Sequence, residues 1–244
     1  MTAIASSVIE RSEVVPDFAE LGIRAFTTSR AVGSFGLLGD EPVRDVFARW
    51  NELREELRAG APHGRLATAG QVHGANVVVH RQGWIGWLRA ESADGHVSIE
   101  RGTGLAVTIA DCVPVFIAHP SGATALLHSG WRGTAARIVE QGIGALIASG
   151  LAASDLRVHT GPAICGKCYE VSADVYAQLT GRNPGKPTTI DLRALIADHA
   201  RAMGVGAITT SESCTRCDNA TFFSHRAGDR GRQLGVIIAD SEPT

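Results

Sequence analysis

The chain of 244 residues carries 23 basic and 25 acidic side chains, a net charge of −2, with 44% hydrophobic and 20% charged residues. At roughly 100–200 residues per domain this is one large domain or two small ones, with enough chain to bury about two-thirds to three-quarters of its unfolded surface, and the composition excludes a disordered chain or a coiled coil. The charge balance argues against a nucleic-acid partner, no apolar run reaches the ~18 residues of a membrane span, and the N-terminal MTAIASSVIERSEVVPDF lacks the basic and apolar blocks of a signal peptide, so a cytoplasmic protein is expected.

GIRAFTT (22–28) reads as the first strand, followed by a loop from Ser29 to Asp40. Val43, Val46, Phe47, Trp50, Leu53 and Leu57 then share one face at the 3.6 period, which predicts a helix capped by Asp40 and stopped by Gly60. Residues 64–72 and 76–80 read as strands around the turn His73-Gly74-Ala75, and GLAVTIA, PVFIAHP and ATALLH (104–110, 114–120 and 123–128) as three short buried strands. A second helix is predicted over 134–149, a strand at 156–160, a short helix from Ser172, a loop over Gly181–Thr189, and a third helix from a cap at Asp191 to Gly204. Strands at 207–210 and 235–239 complete the chain. Runs of strands mixed with helices, rather than strict βαβ alternation, predict an α+β fold with mixed sheets in layers. No linker divides the chain, so one domain over residues 1–244 is expected.

His73, Cys112 and His128 each stand at a predicted strand end beside glycine or small residues. Two imidazoles and a thiolate are good zinc donors, and three protein ligands leave the fourth tetrahedral position open, which is the catalytic arrangement. Buried hydrogen-bonded histidines and a core cysteine fit the same pattern equally well. Two C-x-x-C pairs, Cys165/Cys168 and Cys214/Cys217, are a competing signal for a four-thiolate zinc site or a redox pair, but the 45 residues between them exceed the usual spacing. The expectation is that they do not share a zinc ion. Arg132 lies in a glycine-bounded turn before a helix, a place suited to an anion, and Arg226, Arg230 and Arg232 cluster in SHRAGDRGR. Guanidinium forks suit phosphate, although Arg230 reads better as a solvated loop residue.

QVHGANV (71–77), TIADCVPV (108–115), LLHSGWRGTAARI (127–138), GPAICGKCYEV (161–171) and CTRCDNATFFSHRAGDRGRQLGVI (214–237), in this order, resemble the YfiH/laccase-domain family of purine nucleoside phosphorylases, once called polyphenol oxidases. The resemblance implies a YfiH-type domain in which His73, Cys112 and His128 are the catalytic and metal-binding trio, holding zinc or, as the alternative, copper. It implies phosphorolysis of adenosine, inosine and S-methyl-5′-thioadenosine, and hydrolytic deamination of adenosine, so that purine nucleosides and inorganic phosphate are the expected partners. TTSR (27–30) resembles the family's threonine-arginine segment, which makes Arg30 a further candidate for substrate binding.

The residues add a rationale. Zinc lowers the pKa of a coordinated water toward ~7, which suits attack at purine C6. Asp111, next to Cys112, is a candidate proton carrier or ligand-orienting group, or else a turn-stabilising aspartate. Arg226 and Arg232, with Arg132, are the candidates for holding phosphate against C1′ of the ribose. Trp131 or Phe223 could stack on the base, or simply pack in the core. Two other classes stay open. A copper-dependent polyphenol oxidase needs more than a His₂Cys site, and nine histidines without paired HxH motifs serve a trinuclear cluster poorly. A non-catalytic zinc-binding module would rest on the C-x-x-C pairs. A monomer is expected.

Overall fold

The structure, a computed structural model, describes residues 7–8, 12–58, 60–61 and 63–241. Part of the N-terminal stretch read as lacking a leader, residues 1–6 and 9–11, lies outside them. In chain order the elements are Ser12–Val14 (β1), Ile23–Thr28 (β2), Val43–Leu57 (α1), Arg65–Ala69 (β3), Val77–His80 (β4), Trp87–Ala90 (β5), Gly95–Ser98 (β6), Thr103–Ile109 (β7), Val113–Ala118 (β8) and Thr124–Ser129 (β9). Then come Trp131–Ala135 (α2), Ile138–Ala148 (α3), Arg157–Thr160 (β10), Glu170–Val171 (β11), Ala173–Thr180 (α4), Thr188–Thr189 (β12), Leu192–Ala202 (α5), Ala207–Thr210 (β13) and Gln233–Ala239 (β14).

Two six-stranded mixed sheets face each other, in the orders β1-β2-β14-β7-β3-β5 and β13-β10-β8-β9-β6-β4. Alternate residues of each central strand feed different layers. Leu105, Val107 and Ile109 of β7, with Ile237 of β14, meet Phe116 and Leu126 from the other sheet in the inter-sheet core. Ala106, Val236 and Ile238 face the opposite way and pack under Trp50, Leu53 and Leu57 of α1. Val113, Val115 and Ile117 of β8 and Leu127 of β9 pack under Ile143 and Leu146 of α3 and Ile196 of α5. The result is a helix–sheet–sheet–helix stack. Both faces of the central strands are covered, which explains why they read as continuous apolar runs.

The expected α+β layered mixed-sheet fold is therefore present, with local departures. α1 starts after Pro42 rather than at Asp40, whose carboxylate instead pairs with Arg230 at 2.6 Å. Val43 and Phe47, expected on its buried face, are 52% and 41% exposed. The single helix expected over 134–149 is broken into α2 and α3 at Arg137, which sits at φ 60°, a left-handed conformation no α-helix interior tolerates. The expected Gly181–Thr189 loop contains β12, which pairs with β11. The caps at Ser172 and Asp191 are present, their side chains accepting from the Val175 and Arg193 N–H groups.

Buried histidines set an acid limit on stability. Burial lowers His96 to about 3, reinforced by His80, whose ring nitrogen lies 2.9 Å from that of His96, and lowers His159 to about 4. Both are neutral in the fold near pH 5, whereas the unfolded chain protonates them below about 6.5. The unfolded state thus binds more protons as pH falls through that window, and stability drops with it. A loss of about 3 kcal/mol between pH 6.5 and 5 is expected from these two groups. Urea denaturation at the two pH values measures it, and His159→Gln should remove about half of the difference.

Candidate metal centre and pocket

The ends of β3, β7 and β9 converge at one edge of the two-sheet stack. β7 lies in one sheet and β8 in the other, so the turn Ala110–Cys112 crosses between them and leaves Cys112 at the edge. Asp111 makes that crossing at φ 78°. His128 lies opposite Pro114 in the β8–β9 register, which brings it alongside Cys112. His73 follows β3 in a loop tied to β7 by Gln71, whose amide donates to the Thr108 carbonyl and accepts from the Thr108 N–H, each at 2.8 Å.

The ligand atoms of His73, Cys112 and His128 all lie within 4.8 Å of one another. Gly130 makes room for them, because a Cβ there would stand 3.0 Å from the Cys112 sulfur and 3.4 Å from the His73 ring.

Asp94, which the sequence reading did not single out, organises the group. It is fully buried. Its Oδ1 lies 2.8 Å from His128 Nδ1 and accepts from the His73 N–H at 2.9 Å. Its Oδ2 accepts from the Gly74 and Val72 N–H groups at 2.7 and 3.2 Å. The loop wraps this carboxylate and holds His73 at φ 60°, and the bond to Nδ1 leaves His128 Nε2 to face Cys112. In SADGH an aspartate before glycine looks like an ordinary turn residue, and its partners come from positions 72–74 and 128.

The electrostatics favour a thiolate. Burial opposes ionisation of Cys112, but the charge and hydrogen bonds of His128 and His73 outweigh it and hold the thiol at about 6. Burial likewise opposes protonation of His128, yet the Cys112 thiolate and Asp94 raise it to about 9. Asp94 is opposed by the same burial and lowered by His128 and the N–H groups it accepts from. A soft anionic sulfur and two imidazoles, one oriented by a carboxylate, fit zinc, and the same donor set fits copper.

The trio opens into a cavity of about 610 Å³ whose wall carries Trp131, Arg132, Tyr169, Arg226 and Arg232, a size that suits a small organic ligand. The Arg226 guanidinium donates to the Glu170 carbonyl from two nitrogens, both at 3.1 Å, and lies 5.2 Å from the Tyr169 ring centre. Tyr169 is raised to about 12, mainly by burial and then by the Cys112 charge. Arg232 donates to the Asp229 and Gly231 carbonyls.

Several sequence expectations change. Arg30 lies outside the cavity lining. It pairs with Asp229 at 2.6 Å, donates to the Asn219 and Phe222 carbonyls, and covers Phe223 at 4.4 Å, so it fastens the 219–229 loop. Phe223 is thereby a packing residue. Asp111 lies on the cavity wall beside Cys112, where its oxygens accept from the Thr215 hydroxyl at 2.6 Å and the Arg226 N–H at 2.7 Å and so hold the Arg226 segment, while the carboxylate bonded to the His128 ring is that of Asp94. Arg132 stacks on Trp131 at 4.4 Å within the five-residue α2, not in a turn ahead of a long helix. Finally, the four C-x-x-C sulfurs, expected not to share a zinc ion, also lie within 4.8 Å of one another. The long gap in sequence is closed by the β10–β13 pairing and the Ala163–Cys214 bridge, which lay the two segments side by side.

A family model described as multi-copper polyphenol oxidoreductase laccase matches residues 34–240. A purine nucleoside phosphorylase of Streptomyces coelicolor is 35% identical over 216 residues, spanning 84% of this chain and 86% of that one. An adenosine deaminase from an unknown prokaryotic organism is 30% identical over 252 residues, spanning 90% and 93%. The crystal structure of YlmD from Geobacillus stearothermophilus superposes with a TM-score of 0.81 at 30% identity, over 93% of this chain and 94% of that one. No helix among the described residues is long and apolar enough to cross a membrane.

Proposed function

The chain belongs to the multi-copper polyphenol oxidoreductase laccase family, and we propose that it acts as a zinc-dependent purine nucleoside phosphorylase with adenosine deaminase activity rather than as a phenol oxidase. The observation that carries this reading is the cavity of about 610 Å³ that joins the His73–Cys112–His128 trio to a wall of arginine and aromatic side chains. Relatives named purine nucleoside phosphorylase and adenosine deaminase support it.

Adenosine, inosine and S-methyl-5′-thioadenosine are the proposed substrates with phosphate. Zinc held by His73, Cys112 and His128 supplies a Lewis acid and activates water when bound. The protein's own groups do the rest. Asp94 fixes the His128 ring. Arg226 and Arg232, with Arg132, hold phosphate so that its oxygen attacks C1′ while the bond from C1′ to the purine nitrogen breaks, and the base leaves with the electron pair and takes up a proton. Trp131 and Tyr169 offer aromatic surface to the purine. In deamination, water adds at C6 and ammonia leaves.

Chromatography of products tests the reading. With adenosine alone, inosine and ammonia are expected. With millimolar phosphate, adenine and ribose 1-phosphate should appear as well. Oxidation of a phenol with a blue absorption band would favour the copper reading, because His₂Cys is also the donor set of blue-copper centres.

The arginines separate the two reactions. Arg226 is exposed, so its contact with phosphate is worth less than that of a fully buried pair. Arg226→Ala should cost about 1.5–3 kcal/mol, roughly ten- to hundredfold, in kcat/KM for phosphorolysis. Deamination, which uses no phosphate, should change little. Equal losses in both reactions would assign Arg226 a structural role.

A further inference from the structure

Beyond the pocket, the convergence of the two C-x-x-C segments is a feature the proposed reaction does not use. We propose that Cys165, Cys168, Cys214 and Cys217 form a second, structural zinc site, a closed four-thiolate centre separate from the His73–Cys112–His128 group.

Three observations carry it. First, the four sulfurs lie mutually within 4.8 Å, and those of Cys168 and Cys217 are 3.5 Å apart. Tetrahedral zinc with Zn–S bonds of about 2.3 Å sets its sulfurs about 3.8 Å apart, so small side-chain adjustments suffice. Second, the backbone is arranged for a thiolate. Cys214 Sγ accepts from the Cys217 N–H at 3.4 Å, within its own C-x-x-C turn, and from the Cys165 N–H of the facing turn at 3.2 Å. The facing turn closes on itself through Cys168 and Tyr169 N–H bonds to the Cys165 carbonyl at 2.9 and 3.0 Å. Third, Lys167 and Arg216 occupy the interior of the two turns, and Arg216 reaches across to the Cys168 carbonyl at 3.3 Å. The Arg216 cation between the turns suits the negative charge of a zinc tetrathiolate. A redox pair needs two cysteines, whereas here all four meet, with no open coordination position for a substrate.

The centre would act as a clamp on the pocket wall. Cys168 is followed directly by Tyr169 and Glu170, which hold Arg226. Cys214 is followed by Thr215, whose hydroxyl donates to Asp111 beside Cys112. Zinc joining the two turns would fix both sides of that wall without touching substrate, whatever the substrate is.

Native mass spectrometry and elemental analysis of protein purified with a reductant test the proposal. Two zinc equivalents are expected in the parent chain, and one in Cys112→Ala. Cobalt(II) loaded into Cys112→Ala should give the intense near-ultraviolet charge-transfer absorption of several thiolates. Cys217 is exposed, so Cys217→Ser costs little packing. It should lose one equivalent and unfold at a lower temperature. Should Cys217→Ser fail to fold, the metal count of Cys112→Ala decides alone. A Cys112→Ala protein without metal, iron in place of zinc, a mass lower by two hydrogens per disulfide, or a Cys217→Ser variant with unchanged zinc and melting temperature would overturn it.

Discussion

Cys112→Ala is expected to abolish phosphorolysis and deamination together, with losses of at least about a thousandfold in each, and His128→Ala to do the same. Cys112 supplies the one thiolate among the three donors, and its sulfur lies within 4.8 Å of both histidine ligand atoms. Without it, two imidazoles face a cavity edge where His73 is exposed, too few donors to retain zinc against dilution. Both reactions would lose the same electrophile, and a Lewis acid contributes several kcal/mol to a transition state that develops charge. Steady-state assays with adenosine, with and without phosphate, alongside zinc analysis check the result. If Cys112→Ala, shown to lack metal at this site, still phosphorolyses adenosine at the parent rate, a shared metal centre for both reactions is wrong.

Asp94→Asn carries the second large effect, and it acts on stability and on metal retention at once. The carboxylate is fully buried and accepts from three consecutive N–H groups as well as facing His128 Nδ1. An amide of the same shape brings two N–H donors where only acceptors fit, so at least one N–H meets another. Breaking a buried, hydrogen-bonded charge pair costs about 3–5 kcal/mol. Loss of a carboxylate that orients a metal-ligating histidine typically costs 10–100-fold in metal affinity. The variant should therefore unfold at lower urea concentration, release zinc to a weaker chelator, and recover part of its activity when zinc is in excess. The sign of the pH dependence follows from the lowered carboxyl of Asp94. Its contribution is present above the ordinary carboxylate range and disappears as pH falls through its own lower value, so the gap between parent and variant should narrow in strong acid.

The sequence alone was enough to read the strands that carry the trio, because strands covered on both faces read as continuous apolar runs whatever their partners are. It also determined the caps at Ser172 and Asp191, since a cap is a contact between residues two or three positions apart. His73, Cys112 and His128 were legible as zinc-type donors at strand ends, and the family motifs around them set the order in which they appear. Which distant groups meet was set by how the chain folds in three dimensions. Asp94 is 34 positions from His128, and its role depends on a loop wrapping a buried carboxylate, a contact that leaves no periodic trace. Arg30 sits in a recognisable motif, yet the ion pair with Asp229 turns it away from the cavity and into the loop that bears Arg226. The break at Arg137 divides a segment whose apolar spacing is helical on both sides: Trp131 and Arg132 of α2 line the cavity, whereas Ile143 and Leu146 of α3 pack on the second sheet. The cysteine pairs show the limit most plainly. Forty-five residues separate them along the chain, a distance that argued against a common site. Parallel pairing of β10 with β13 nonetheless brings the segments that follow those strands side by side. Spacing in sequence measures chain length between two groups, whereas strand register determines the distance in space.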